Sequence, residues 1–161
     1  MIDSDRLMHS YAVAKKMVEI GKNKNLNEDE LKDLFTIGFN HDIGYEYTVN
    51  GENHNKVGGE ILKKSGFKYW KEVYYHGMLT NEYSSLYLDI LNCADMQIDK
   101  KGNDVWFEKR LNDIESRYGK DSIVLQRCVK MVEYFKSKDL IKKNEVPDYI
   151  NEDIDTEIVE M

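Results

Sequence analysis

Apolar residues recur at intervals of about three and four along most of this chain, the spacing that lines one face of an α-helix. The first run, Leu7, Tyr11, Ala14, Met17 and Val18, starts behind Asp3 or Ser4, either of which can cap it, and fades at Gly21 and the Lys-Asn residues that follow. Asn27-Glu28-Asp29-Glu30 has the form of a capping box, a short polar side chain with a Glu three residues on. It predicts a second helix through Leu31, Leu34, Phe35, Gly38 and Phe39, ending at His41-Asp42, after which residues 43–52 read as a loop. Asn53 is the expected cap of a third helix through Ile61 and Leu62 to Gly66, and a fourth spans Phe67 to His76 and stops at Gly77. The fifth runs from Glu82 to about Asp99; beyond the turn Lys100-Lys101-Gly102-Asn103, Asp104 caps a sixth that ends at Tyr118-Gly119, and Asp121 starts a seventh reaching about Lys138. Inside the third helix, Gly58 and Gly59 each cost about 1 kcal/mol relative to Ala, so the pair predicts close backbone packing against a neighbouring helix.

Composition agrees with that pattern. A chain of 161 residues is long enough for one domain with a sizeable core, and with 10 Gly and 1 Pro it lacks the turn residues of a sandwich or barrel, so an all-α bundle of about seven helices is expected. The net charge of -7 is not spread evenly: Asn144 to Met161 holds seven acids and no Lys or Arg, while the remaining 23 acids balance 23 bases. Residues 1–143 are therefore expected to form a neutral globular body and 144–161 an acidic, partly disordered tail. A balanced body does not present the basic field of a nucleic-acid surface. The N-terminus has no apolar targeting segment, and no stretch approaches the ~18 apolar residues of a membrane span. Cys93 and Cys128 are too few and wrongly spaced for a disulfide framework or a thiolate metal site. They read as buried thiols, and a soluble, cytoplasmic protein is expected.

Candidate chemistry gathers on the histidines. The chain has four, each near an end or on the apolar side of a predicted helix. Taken singly, His9, His54 and His76 read as ordinary hydrogen-bonded helix-end histidines, and an isolated His41-Asp42 pair as a capping device. Together with Asp95 they form an ordered set of six nitrogen and oxygen ligands. Asp95 weighs most, because a carboxylate among Ile90, Leu91, Cys93, Ala94 and Met96 is costly unless paired or bound to a cation.

Arg6-Leu7-Met8-His9-Ser10, His41-Asp42-Ile43-Gly44-Tyr45, His54 through Gly58-Gly59, His76, and Cys93-Ala94-Asp95-Met96 together resemble the HD superfamily of metal-dependent phosphohydrolases, whose mark is His, then His-Asp, then a distant Asp on a helical bundle. Phe107 to Gly119 also resembles an extension found in a poorly characterised bacterial branch of HD proteins, of the HDIG type. The resemblance implies that His9, His41, Asp42 and Asp95 hold one divalent ion. His54 and His76 match the extra histidines of di-metal members, which makes Asp42 the bridging, catalytic carboxylate. One or two ions of Fe, Mn, Co, Ni or Zn are implied, since imidazole mixed with carboxylate suits these better than Ca or Mg. Two such ions would outweigh the charges of Asp42 and Asp95, leaving a positive centre able to polarise a phosphoryl oxygen and to lower the pKa of bound water from 15.7 toward about 7. Arg6, Lys56 and Arg110 are the candidate phosphate-binding cations, although each alone reads as a solvated surface charge.

The chain departs from the family at Tyr45, since many HD phosphodiesterases carry a phosphate-binding Lys shortly after His-Asp; a cyclic-dinucleotide activity is correspondingly less supported. The ligand order also resembles symmetrical dinucleoside tetraphosphatases and mixed-valent di-iron oxygenases. The expected function is hydrolysis of a nucleotide or other small phosphate ester or anhydride. An oxygenase and a non-catalytic nucleotide or metal sensor are the alternatives that the ligands alone leave open. The acidic tail reads as a solubilising extension, or else as a lid that competes with anionic substrates for a positive cleft.

Overall fold

Among residues 3–141, which the computed structural model describes, the expectation of an all-α chain is met: seven α-helices and one 3-10 helix form, and no β-strand does. The acidic tail expected from residue 144 onward lies outside the described residues. The helices are α1 (Ser4–Asn23), α2 (Glu28–Asn40), the 3-10 helix (Ile43–Tyr47), α3 (His54–Lys64), α4 (Trp70–Tyr75), α5 (Leu86–Gln97), α6 (Trp106–Tyr118) and α7 (Ile123–Ser137). The chain divides into two compact units, Met1–Asn103 and Asp104–Met161.

In the first unit, α1 packs against α2 and α5, while α3 packs against α4 and the 3-10 helix. The apolar faces read from the sequence supply the core: Val13, Ala14 and Met17 of α1, Leu34 and Ile37 of α2, Val73 of α4, and Ile90, Leu91 and Ala94 of α5 are completely buried. Each buried Val, Leu, Ile or Met side chain stabilises the fold by about 1.5–3 kcal/mol before entropy is counted. In the second unit, α6 and α7 pack on one another through Phe107 and Phe135, whose rings lie 6.3 Å apart, with Leu111, Leu125, Val129 and Val132 also buried. Cys93 and Cys128 are not joined in a disulfide; Cys93 is buried as expected, whereas Cys128 is only half-buried.

Several helix starts follow the sequence signals and others are reset by tertiary contacts. Asp3 caps α1, its carboxylate accepting from the Arg6 N–H at 2.7 Å, and the Asn27–Glu30 capping box is complete in both directions. Asn53, in contrast, does not cap α3 with its side chain; its backbone is left-handed at φ 56°, which Asn tolerates better than most residues. The expected loop at 43–52 contains the 3-10 helix, and α4 is shorter than predicted. Helix α5 starts at Leu86 rather than Glu82 because Ser85 caps it: the Ser85 hydroxyl accepts from Leu88 N–H and donates to the buried Glu72 carboxylate at 2.7 Å. Ser122, not Asp121, caps α7, and Asp104 binds the Trp106 N–H from just outside α6.

The glycine pair performs the predicted role. A Cβ on Gly59 would lie 2.5 Å from Cβ and 2.7 Å from Cα of Tyr74, so α3 and α4 touch backbone to backbone there. Gly58 faces Gly44 of the 3-10 helix, and a Cβ on Gly44 would come within 1.8 Å of the His54 carbonyl oxygen. Only an absent side chain lets the segment after His41-Asp42 approach the start of α3 this closely, and that approach brings His54 to Asp42.

Candidate metal centre

Each histidine is oriented by the backbone beside it. His41 closes the C-terminal end of α2 and its Nδ1–H donates to the Gly38 carbonyl at 2.6 Å; His54, at the first position of α3, donates to Gly51 at 3.1 Å. His76 follows the last turn of α4 and donates to Val73, and His9 on α1 donates to Asp99 beyond α5 at 2.8 Å. A carbonyl oxygen can only accept, so every Nδ1 carries a proton and every Nε2 of a neutral ring is left with a bare lone pair. Such backbone-held imidazoles are pre-oriented as metal ligands.

All four Nε2 atoms converge on two carboxylates. His9 Nε2 is 2.9 Å from Asp95 Oδ1 and 3.5 Å from Asp42 Oδ2; His41 Nε2 is 3.3 Å from each of the same two oxygens. The other oxygen of Asp42, Oδ1, lies 3.5 Å from His54 Nε2 and 3.6 Å from His76 Nε2. The carboxylate of Asp42 is thus divided between two pairs of histidines. Ligand atoms of His9, His41 and Asp95, and likewise those of His41, Asp42 and His76, lie within 4.8 Å of one another, with His41 common to both groups. His41, Asp42, His9 and His76 are buried, whereas the side chains of Asp95 and His54 keep 27% and 26% exposure and mark the open side.

Electrostatics hold this cluster in a charged state. Burial alone would lower the pKa of His41, but the carboxylates of Asp42 and Asp95 outweigh it and raise the ring well above its ordinary value. Burial works against ionisation of Asp42 and Asp95 too, yet His41 leads the contacts that keep both carboxyls well below the usual carboxylate range. His54 is shifted down, first by burial and then by His76. The fit to a metal rests on His41: its Nε2 is buried, sits between two carboxylate oxygens and has no hydrogen-bond partner among the described residues. A bare lone pair facing two anionic oxygens is repelled unless a cation lies between them. Without metal the cation is a proton on His41; a divalent ion satisfies all three atoms at once.

The HD-domain family model matches residues 6–136. This chain belongs to the HD family. Comparisons with curated proteins and with solved structures give no match. HD domains are in general metal-dependent phosphohydrolases that bind divalent ions, and the His and Asp groupings of this HD protein are of the kind that can hold them.

The three candidate phosphate contacts fall in different places. Arg6 is at the centre, its Nη1 donating to Asp42 Oδ2 at 3.3 Å. Lys56 is exposed on α3, with no ion pair or hydrogen bond to the cluster among the described residues. Arg110 belongs to the second unit, where its charge partly offsets the burial that raises the Cys128 thiol. Sequence reasoning missed two residues that hold the histidines in place. Asn55 donates to the carbonyls of Tyr74 and His76 at 3.2 and 3.4 Å, and buried Asn92 accepts from Gly77 N–H at 2.7 Å, fixing the turn that carries His76. A signal for Asn92 existed: it is a polar residue in the same apolar helix as Asp95, three positions earlier.

Proposed function

We propose that this HD protein is a metal-dependent phosphohydrolase acting on a nucleotide or another small phosphate ester or anhydride through a metal-activated water. His9, His41, Asp42 and Asp95 would hold one divalent transition ion, and His54, His76 and the second oxygen of Asp42 another. The observation that carries this reading is the division of the Asp42 carboxylate, with Oδ2 facing His9 and His41 and Oδ1 facing His54 and His76. Ions bound there would supply Lewis-acid polarisation of a phosphoryl oxygen and an acidified water. The protein's own part is to pre-orient the ligands through four backbone carbonyls, to keep Asp42 and Asp95 ionised, and to leave the side of Asp95, His54 and Arg6 open for substrate.

Turnover without oxygen tests the proposal. Nucleoside mono-, di- and triphosphates, dinucleoside polyphosphates and simple phosphate esters, offered anaerobically to metal-loaded protein, are expected to yield phosphate-bearing products, and chelation is expected to abolish them. A protein silent on the whole panel that instead consumed dioxygen, or bound a nucleotide without changing it, would overturn the hydrolase reading.

A further inference from the structure

Arg6 and His54 flank one ring. The Arg6 guanidinium carbon lies 3.6 Å from the centroid of Tyr45, and the His54 ring stacks on Tyr45 at 4.1 Å with 24° between the planes. Two groups this close to one centroid cannot share a face, so Tyr45 is sandwiched between them. A third contact pins its edge: Gly51, at φ +73°, brings its backbone so near that a Cβ there would be 2.2 Å from Tyr45 Cε1. The ring is therefore held on both faces and along one edge, and a guanidinium laid on it loses rotamer freedom before any ligand arrives.

The stack stands at the mouth of the metal centre. The side chain of Arg6 keeps 23% exposure, close to that of His54 and Asp95. One of its five N–H donors points at Asp42 Oδ2, 3.3 Å away. Asp42 takes one donor of a five-donor fork, so a guanidinium held over the ring beside the open side has further donors to offer a ligand there. If Arg6 served only as a partner for Asp42, it would oppose the function of that carboxylate, since a fixed cation beside a metal ligand repels the metal. That placement is favourable once a third, anionic group joins the site. A planar fork held at a fixed angle beside a divalent centre suits a phosphate, whose oxygens can accept from Arg and coordinate metal together.

Resting on the phosphohydrolase reading above, we infer that Tyr45 is a positioning residue: clamped between His54 and Arg6, it holds the Arg6 guanidinium at the mouth of the centre to receive the phosphate group of the substrate.

The test uses full-length protein loaded with Mn²⁺ and inorganic phosphate as the probe, with affinity measured by calorimetry and metal content and melting temperature recorded for every variant. Tyr45→Phe keeps the ring and is expected to bind phosphate within about twofold of the parent. Tyr45→Leu keeps bulk but offers no π face, and a weakening of about three- to thirty-fold is expected, the range of a cation–π contact. Arg6→Gln is expected to lose about tenfold or more, as for a charge-assisted bond to phosphate. With p-nitrophenyl phosphate as substrate, the Leu variant should raise KM more than it lowers kcat. Phosphate affinity unchanged in Tyr45→Leu or in Arg6→Gln would overturn the inference. So would loss of metal or of folding in Tyr45→Leu, because the ring would then serve His54 rather than Arg6. If the parent protein itself binds no phosphate, the phosphohydrolase reading fails, an outcome distinct from a parent that binds and variants that bind equally well.

Discussion

His41 is the residue on which both halves of the centre depend, since its buried Nε2 faces Asp42 and Asp95 together and it belongs to both candidate ligand groups. Replacing it with Ala is expected to abolish binding of both ions, whereas His54→Ala or His76→Ala should remove one and leave the other; elemental analysis of anaerobically purified variants distinguishes these outcomes. Its protonation gives a second prediction. Because the folded protein raises the pKa of His41 above its ordinary 6.5, the metal-free form gains stability that is fully present below that pH and is lost as the pH climbs through the raised value. A metal must displace the same proton. Metal affinity should therefore rise with pH across this window, with proton release detectable by calorimetry in buffers of different ionisation enthalpy. Affinity independent of pH would mean that His41 is not a ligand.

At the scale of elements, three of the four histidines come from helix ends, while His9 and Asp95 lie within α1 and α5. Helix α2 delivers His41 at its C-terminus, α3 delivers His54 at its first residue, and α4 delivers His76 just beyond its last turn. Helix ends leave carbonyls without intrahelical partners, and here the carbonyls of Gly38 and Val73 receive the histidine Nδ1–H groups. The crossing of the 3-10 helix with α3 brings these ends together, and Gly44 makes that crossing possible. Gly44→Ala is expected to force the two segments apart, costing about 1–3 kcal/mol and weakening retention of the ion served by His54 and His76; a melting curve and a metal titration check both effects. Unchanged values would show that the overlap at 1.8 Å is relieved locally and that Gly44 does not set the site.

At the scale of the whole chain, all six candidate ligands lie between residues 9 and 95, in the unit Met1–Asn103, while the family match continues through α6 and most of α7 to residue 136. The charge deficit lies elsewhere, in the seven acids after residue 143. Ending the chain at Lys143 is accordingly expected to raise the isoelectric point from about 5.2 toward neutrality while leaving metal content unchanged, as isoelectric focusing and elemental analysis can report. A fall in metal content on truncation would implicate the tail in the centre.

The helical class, the capping box at Asn27, the close packing at Gly58-Gly59 and the identity of the six clustered side chains were legible without coordinates. Local spacing governs the first two, and rare residue types in apolar surroundings flag the others. The starts of α5 and α7 were not legible, because neighbouring residues could cap equally well and the choice at Ser85 was made by Glu72, 13 positions away. The convergence itself was likewise decided only in three dimensions. His9 and Asp95 are 86 residues apart in the chain and 2.9 Å apart in the fold. Nor could any pattern tell that Tyr45 lies between Arg6 and His54, because the stack joins α1, the 3-10 helix and α3, whose contact depends on a glycine with no side chain to collide. Sequence by itself determined which groups could bind a cation, since that is a property of each side chain. Tertiary structure alone decided which oxygen faces which nitrogen, because that depends on where the helix ends meet.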